Sequence, residues 1–315
     1  RYGVSLSGDC EACGLRLRGA AERVMDQGGQ RLRLVHSVLP HSPYQRGAVW
    51  HHTKLDVSSG FQITFDIQFQ RPSTCAQSYW GKLSEESGGD SPSLAAEHAQ
   101  AAPLWRRRAT GCGEAGESDG KGALTQGAVG GEGLALVVHD DPAGLEAMGC
   151  AGTGVGFALD SSHYSTCLER ISRSVAVQLS PHHNVTEMWR SGPHVAAGEP
   201  GYVAWGAMDE AGVYVGGSNQ AALVTRSFAA PGRRGRLIDG LRHTVLALYA
   251  EGKLSVHFDG EAEPTLSANV DLGAAGAIDS SGRAWVGFTA STGISSIDAD
   301  LLSFAFCQYP ACDAA

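Results

Sequence analysis

Residues 61–69 constrain the fold of this chain more than any other stretch. Phe61, Ile63, Phe65, Ile67 and Phe69 occupy one parity, and Gln62, Thr64, Asp66 and Gln68 the other. An extended backbone turns successive side chains to opposite faces, so this is a strand with one face on a core and the other in water. The same period returns at Leu254, Val256 and Phe258, with Ser255, His257 and Asp259 opposite, and again at Leu302, Phe304 and Phe306. Leu15/Leu17, Leu32/Leu34 and Val213/Val215 are shorter instances. The unbroken apolar runs 134–138 and 245–249 read as strands covered on both faces. Gly28-Gly29, Ser58-Ser59-Gly60, Gly130-Gly131, Gly216-Gly217 and Ser280-Ser281-Gly282 lie between such segments. They are the tight reversals that antiparallel strands need. Helical spacing is confined to residues 93–100, a short helix capped by Ser93 with Glu97 in its first turns. An all-β sandwich or barrel follows.

No linker or repeat divides the 315 residues, so one domain over 1–312 is expected, with 307–315 as a tail or the start of a following module. Residues 71–123 are polar and rich in Gly and Ser, and Cys75 and Cys112 flank most of them. They read as an inserted loop closed by a disulfide. Two roles stay open for it: a surface decoration, or a partner-binding arm carrying Tyr79, Trp80 and Trp105.

A net charge of -9 argues against nucleic acid or anionic membrane as partner, since both need clustered cations. Arg106-Arg107-Arg108 and Arg233-Arg234-Gly235-Arg236 read as solvated loop charges. No apolar run approaches the ~20 residues that span a bilayer, so membrane insertion is not expected. The start at Arg1 carries no leader pattern, which fits a processed secreted chain or a piece of a longer one. Eight cysteines, with Cys10-x-x-Cys13 unaccompanied by a second metal-type pair, point to disulfides and an oxidising compartment. Asn184-Val185-Thr186 is a glycosylation sequon and agrees with secretion.

Four stretches in order resemble L-type (legume-type) lectin domains. They are Arg46-Gly47-Ala48-Val49-Trp50 with residues 57–65, Gly130-Gly131-Glu132-Gly133-Leu134-Ala135-Leu136 with its continuation to Phe157, Asp239-Gly240-Leu241-Arg242-His243-Thr244-Val245, and Ala284-Trp285-Val286-Gly287-Phe288-Thr289-Ala290-Ser291-Thr292-Gly293. A last strand, 302–306, stands where the family has its closing one. The resemblance implies a concanavalin A-like jelly-roll β-sandwich of two antiparallel sheets, with loops gathered over the concave side. It also implies sugar binding through loops fixed by calcium and a transition metal, because a hard cation on oxygen ligands locks loops before a weakly held sugar arrives.

The resemblance places carbohydrate contacts at Glu132, where the family carries Asp, at Gly152 and Gly154 through backbone N–H groups, and at Asn184 and Thr292. The family's two metal-binding carboxylates fall on Gln178 and Ser180, and its metal-binding Asn and His on Asn184 and His194. Both carboxylates are therefore replaced by neutral groups, Trp189 stands near a missing Asp, and Asn184 belongs to the sequon. The expectation is a degenerate metal site, with no cofactor required and calcium optional. His51-His52 and His182-His183 read as surface residues, and Asp140-Asp141 as the start of a turn.

Glycosidases of this architecture need two carboxylates facing one cleft, and no strand shows an acid-x-acid or acid-x-x-x-acid pair; no nucleophile elbow, zinc-protease or P-loop motif is present either. The reading is a non-enzymatic, carbohydrate-binding module at the cell surface or in the extracellular matrix. Its partners are glycans, glycoproteins or other subunits of an assembly. The alternative is an assembly domain that no longer binds sugar. First and last strands lie close in this topology, which suggests Cys10 or Cys13 paired with Cys307 or Cys312, beside Cys75–Cys112 and Cys150–Cys167.

Overall fold

The computed structural model describes residues 2–4, 14–26, 29–37, 44–70, 132–159, 167–181, 209–228, 237, 239–293, 297–309 and 312. The insertion 71–123, the 93–100 segment, Asn184, His194, His182-His183 and Cys10, Cys13, Cys75 and Cys112 lie outside the described residues. The strands, in chain order, begin with β1 (Tyr2–Val4), β2 (Leu15–Gly19), β3 (Glu22–Asp26), β4 (Gly29–Val35), β5 (Arg46–His51) and β6 (Leu55–Asp56). There follow β7 (Phe61–Gln70), β8 (Gly133–His139), β9 (Ser174–Pro181), β10 (Asp209–Val215) and β11 (Val224–Ser227). The series ends with β12 (Arg242–Ala250), β13 (Lys253–Phe258), β14 (Leu266–Asn269), β15 (Arg283–Ser291) and β16 (Asp298–Gln308).

They form two antiparallel sheets. The back sheet runs β14-β13-β12-β7-β16-β4-β3, with β1 also paired to β16; the front sheet runs β11-β10-β9-β8-β15-β5-β2, with β6 against β15. Every link is antiparallel, and neighbours far apart in the chain are adjacent in the sheets, as a jelly roll requires. The expected jelly-roll β-sandwich of two antiparallel sheets is the fold this chain has.

The odd residues of β7 fill the space between the sheets: Phe61, Ile63, Phe65, Ile67 and Phe69 are all buried. Phe65 packs edge-on to Phe288 of the front sheet with ring centroids 4.9 Å apart, and Phe304 completes the row at 5.4 Å from Phe288. Two expectations fail here in informative ways. Asp66, on the water side by parity, is buried because Thr244 Oγ1 (2.5 Å), Arg242 (2.5 Å) and Ser303 Oγ donate to its carboxylate. Burial would raise that carboxyl, but the three donors and the Arg242 charge hold it below the usual carboxylate range.

The run 245–249 is not covered on both faces. In β12, Val245, Ala247 and Tyr249 are buried while Leu246 and Leu248 are half-buried. The run 134–138 in β8 is buried throughout, as expected. The difference lies in what covers each sheet. The front sheet carries a second apolar layer on its outward face, in which Ala48, Trp50, Ala135, Val137 and Ala176 pack under Ala147, Val155 and Phe157 of the 144–158 segment.

The disulfide expectation for the chain ends is corrected. β1 does lie beside β16, with Tyr2 opposite Phe306. Yet Cys307 pairs with Cys312, five residues along the chain, with Cα atoms 5.5 Å apart. A turn that short already brings two Cα atoms within disulfide reach, so no cysteine from the amino-terminal segment is needed. Cys150 joins Cys167, Cα to Cα 5.9 Å.

Candidate functional site

Glu132 enters β8 at the rim of the front sheet and is half-buried. Gly133 behind it has φ +121°, and a Cβ there would fall 2.1 Å from the Leu179 carbonyl oxygen of β9. Only glycine permits that approach, so the strand pairing itself fixes where Glu132 emerges. Its carboxylate faces Gly293 just beyond β15: a Cβ on that glycine would meet Glu132 Oε1 at 2.4 Å.

The segment over the outward face of the sheet is held from several sides. Gly152 N–H donates to Thr292 O (3.0 Å), Ser291 Oγ to Gly152 O (2.7 Å) and Thr289 Oγ1 to Val155 O (2.8 Å). Gly149 and Gly156 bond each other's strand of the loop through Gly149 N–H to Gly156 O at 2.6 Å, and Cys150–Cys167 closes it covalently. Val155 sits at φ +49°, a region that β-branched residues rarely adopt, and the Thr289 hydroxyl is one of the groups that secures it there.

Three of the expected sugar contacts lie within this network. Gly152 and Gly154 are buried and both N–H groups are spent internally, Gly152 on Thr292 O and Gly154 on Ala151 O (3.3 Å). Thr292 is fully buried; its N–H donates to Gln45 O (2.9 Å) and its Oγ1 accepts from Gln45 N–H (3.0 Å). These bonds shape the loop and commit both glycine N–H groups within the protein. The motif match alone located them, and it carries no information on whether a backbone N–H is already paired.

Gln178 and Ser180 project from β9 onto the same outward face and are both buried. Gln178 Nε2 donates to Ser180 Oγ at 2.6 Å, while Gln178 Oε1 is buried with no partner among the described residues. By themselves these two side chains do not fit a divalent ion; Asn184 and His194, the other two expected ligands, lie outside the described residues. An amide oxygen and a hydroxyl already engaged with that amide supply no charge to replace the hydration shell of a hard dication. Among the described residues, no three His, Cys, Asp or Glu side chains group as metal ligands.

Two groups that sequence reasoning missed stand next to them. β10 pairs with β9 so that Glu210 lies opposite Ser180 and Gly212 opposite Gln178. Glu210 is half-buried, and burial raises its carboxyl. Tyr214 is pushed up to about 12 by burial and then by the Glu210 charge. The alternation of Val213 and Val215 was legible; which strand faces Gln178 was not.

At the opposite end of β8, His139 is fully buried against Trp50, ring centroids 4.4 Å apart. Its Nδ1 accepts the Asp141 N–H at 3.2 Å, its Nε2 has no partner among the described residues, and burial pushes it down to about 4. The adjacent acids behave as turn and ion-pair residues. Asp141 accepts from Ala143 N–H (3.0 Å) and Ser172 N–H (3.0 Å), and Asp140 pairs with Lys54 (2.5 Å) and Arg173. His51 and His52 each bond a backbone carbonyl, Thr53 O and Gly14 O, both at 2.8 Å.

No protein-family model matches the chain, and no curated protein sequence does. Solved structures do. The basic winged bean lectin with Tn-antigen aligns over 97% of this chain and 96% of its own, at 16% identity and a TM-score of 0.53. The metal-free form of lectin I-B4 from Griffonia simplicifolia aligns over 93% and 92%, at 15% identity and 0.51. Peanut lectin with a nine-residue peptide aligns over 96% and 94%, at 13% identity and 0.51. Similarity of this degree establishes a shared fold.

Proposed function

We propose, taking the legume-lectin sandwich as premise, that this chain is a non-enzymatic carbohydrate-binding module that works without a bound metal ion. The observation that carries the reading is how the segment over the front sheet is ordered. Cys150–Cys167 and the bonds from Gly152, Ser291 and Thr289 hold it in place through ties made by the protein itself. A sugar is bound weakly, and a loop ordered in advance spares the binding step that entropic cost. In this reading a crosslink and backbone bonds do for the loop what a cation does in the family the sequence resembles. Glu132 supplies a carboxylate at the rim to accept hydroxyl donors, and Asn184 remains a proposed glycan contact or glycosylation position.

The disulfides and the lectin fold support a secreted or lumenal setting, at the cell surface or in the matrix, with glycans or glycoproteins as partners. Among the described residues no helix is long and apolar enough to cross a membrane. A glycan array run in chelator tests the proposal: retained binding to defined saccharides is expected. A blank array in both calcium and chelator would refute it, and release of reducing ends from those saccharides would refute the non-enzymatic part.

The second reading, an assembly domain, draws on the internally satisfied Gly152, Gly154 and Thr292. Concentration-dependent self-association with a blank array would favour it.

A further inference from the structure

His139 ends β8 where the chain leaves the front sheet and turns into the 144–158 segment. Its ring is fully buried and edge-on to Trp50, and its register partners are Ser174 of β9 and Trp285 of β15. Nδ1 accepts the Asp141 N–H at 3.2 Å. Such a bond fits only the neutral ring with its proton on Nε2, and it sets a backbone donor where a proton on Nδ1 would point. Nε2 is buried with no hydrogen-bond partner among the described residues.

The charged groups around the ring are engaged with one another. Asp140 pairs with Lys54 and Arg173, and Lys54 also with Asp279. The Asp141 carboxylate accepts the Ala143 N–H, the Ser172 N–H and the Ser172 hydroxyl. Burial disfavours an imidazolium here and outweighs the opposing pull of Asp141 and Asp140, while Lys54 adds to it. The turn that follows is fastened at both ends beside this ring. Gly144 N–H donates to Asp141 O (2.9 Å), Ala147 N–H to Gly144 O (3.1 Å), and the Trp50 indole N–H to Ala147 O (3.1 Å).

We propose that His139 is an acid-sensitive latch: protonation sets Nδ1–H against the Asp141 N–H and lifts residues 141–147 off Trp50. Two donors cannot share the line between those nitrogens, and a buried imidazolium must reach water or a carboxylate, so the turn moves. Cys150–Cys167 keeps the segment beyond tethered, and the opening reverses when the proton leaves. The latch acts on the segment itself and does not depend on what the segment binds.

The test is amide hydrogen exchange of the full chain at pH 7 and pH 5, expressed as protection factors that remove the intrinsic pH dependence of exchange. With the buried ring at about 4 and a released one near 6.5, protection at Asp141, Gly144, Ala147 and the Trp50 indole should fall about twentyfold. These sites should exchange faster than β7 and β16 at both pH values and ignore low urea, because opening a few residues exposes little surface. His139→Asn leaves an acceptor for the Asp141 N–H without a basic group and should flatten the response. Ring nitrogen chemical shifts, which need no variant, should report the Nε2–H tautomer at pH 7. Unchanged protection in the turn, or exchange that follows urea together with β7 and β16, would overturn the latch. So would an Nδ1–H tautomer at pH 7, or a response retained by His139→Asn, which would assign the loss to Asp140 or Asp141.

Discussion

Replacing Cys150 and Cys167 together with serine removes the covalent closure of the segment that overlies the front sheet. The bridge spans 17 residues. For a loop of that size, the chain entropy returned to the unfolded state lowers stability by about 3 kcal/mol at 25 °C. The folded loop keeps its other ties: Gly152 to Thr292, Ser291 to Gly152, Thr289 to Val155 and Gly149 to Gly156. The double variant should therefore fold, unfold in urea with about 3 kcal/mol less free energy, and melt about 5 °C lower for a chain of this length. The same variant reports on the loop directly through amide hydrogen exchange. Protection at residues 149–158 should fall selectively while the strands β7, β15 and β16 keep theirs, because only the loop loses a constraint. A stability loss below about 1 kcal/mol with unchanged exchange would refute the reasoning. It would mean that backbone bonds alone order this segment and that the crosslink does not stand in for a cation.

Other consequences follow from the buried ionisable groups. Burial would lower His243, but bonds from both ring nitrogens to Asp259 (2.9 Å) and Asp239 (3.1 Å) outweigh it and raise the imidazole above its ordinary value. Its contribution to stability is fully present below about pH 6.5 and is lost as pH rises through the folded-state value, so unfolding measured against pH should show a dependence that His243→Gln removes. His139 works in the opposite sense: pushed down to about 4 by burial, it must be neutral in the folded chain. Its penalty grows as pH falls from about 6.5 and reaches roughly 3 kcal/mol below 4, and acid unfolding of His139→Asn should lack that component. Calcium or chelator should move the melting temperature by less than about 1 °C, whereas a shift of several degrees that depends on calcium concentration would expose a site outside the donor set described for Gln178 and Ser180.

What residues 61–69 reveal in isolation is sidedness, and sidedness was enough for the sandwich. Alternation in β7 and β13 depends on local backbone geometry, so each strand could be read from a few neighbours, and the succession of family-like stretches supplied the order; in β16 a register shift between Leu301 and Ser303 puts Leu301 in the core and leaves the expected Leu302 half-buried beside Phe304 and Phe306. The chain alone did not say what lies above each face. Residues 245–249 and 134–138 are equally apolar, yet only β8 has a second layer over it, because the 144–158 segment folds back onto the front sheet and nothing equivalent covers Leu246 and Leu248 among the described residues. Asp66 looked solvated until Thr244, Arg242 and Ser303 arrived from two other strands.

The candidate site divides along the same line. Glu132 was legible, since its motif includes the glycine whose close approach to Leu179 O positions it. The internal bonds of Gly152, Gly154 and Thr292 were not legible, because hydrogen-bond pairing is a property of neighbours in space. Glu210 was invisible beside Gln178, for the two meet only through the register of β9 on β10. Residue order determined which side chains face the core; strand pairing, a long-range choice that maximises buried apolar area and paired backbone groups, decided which polar atoms meet on one face.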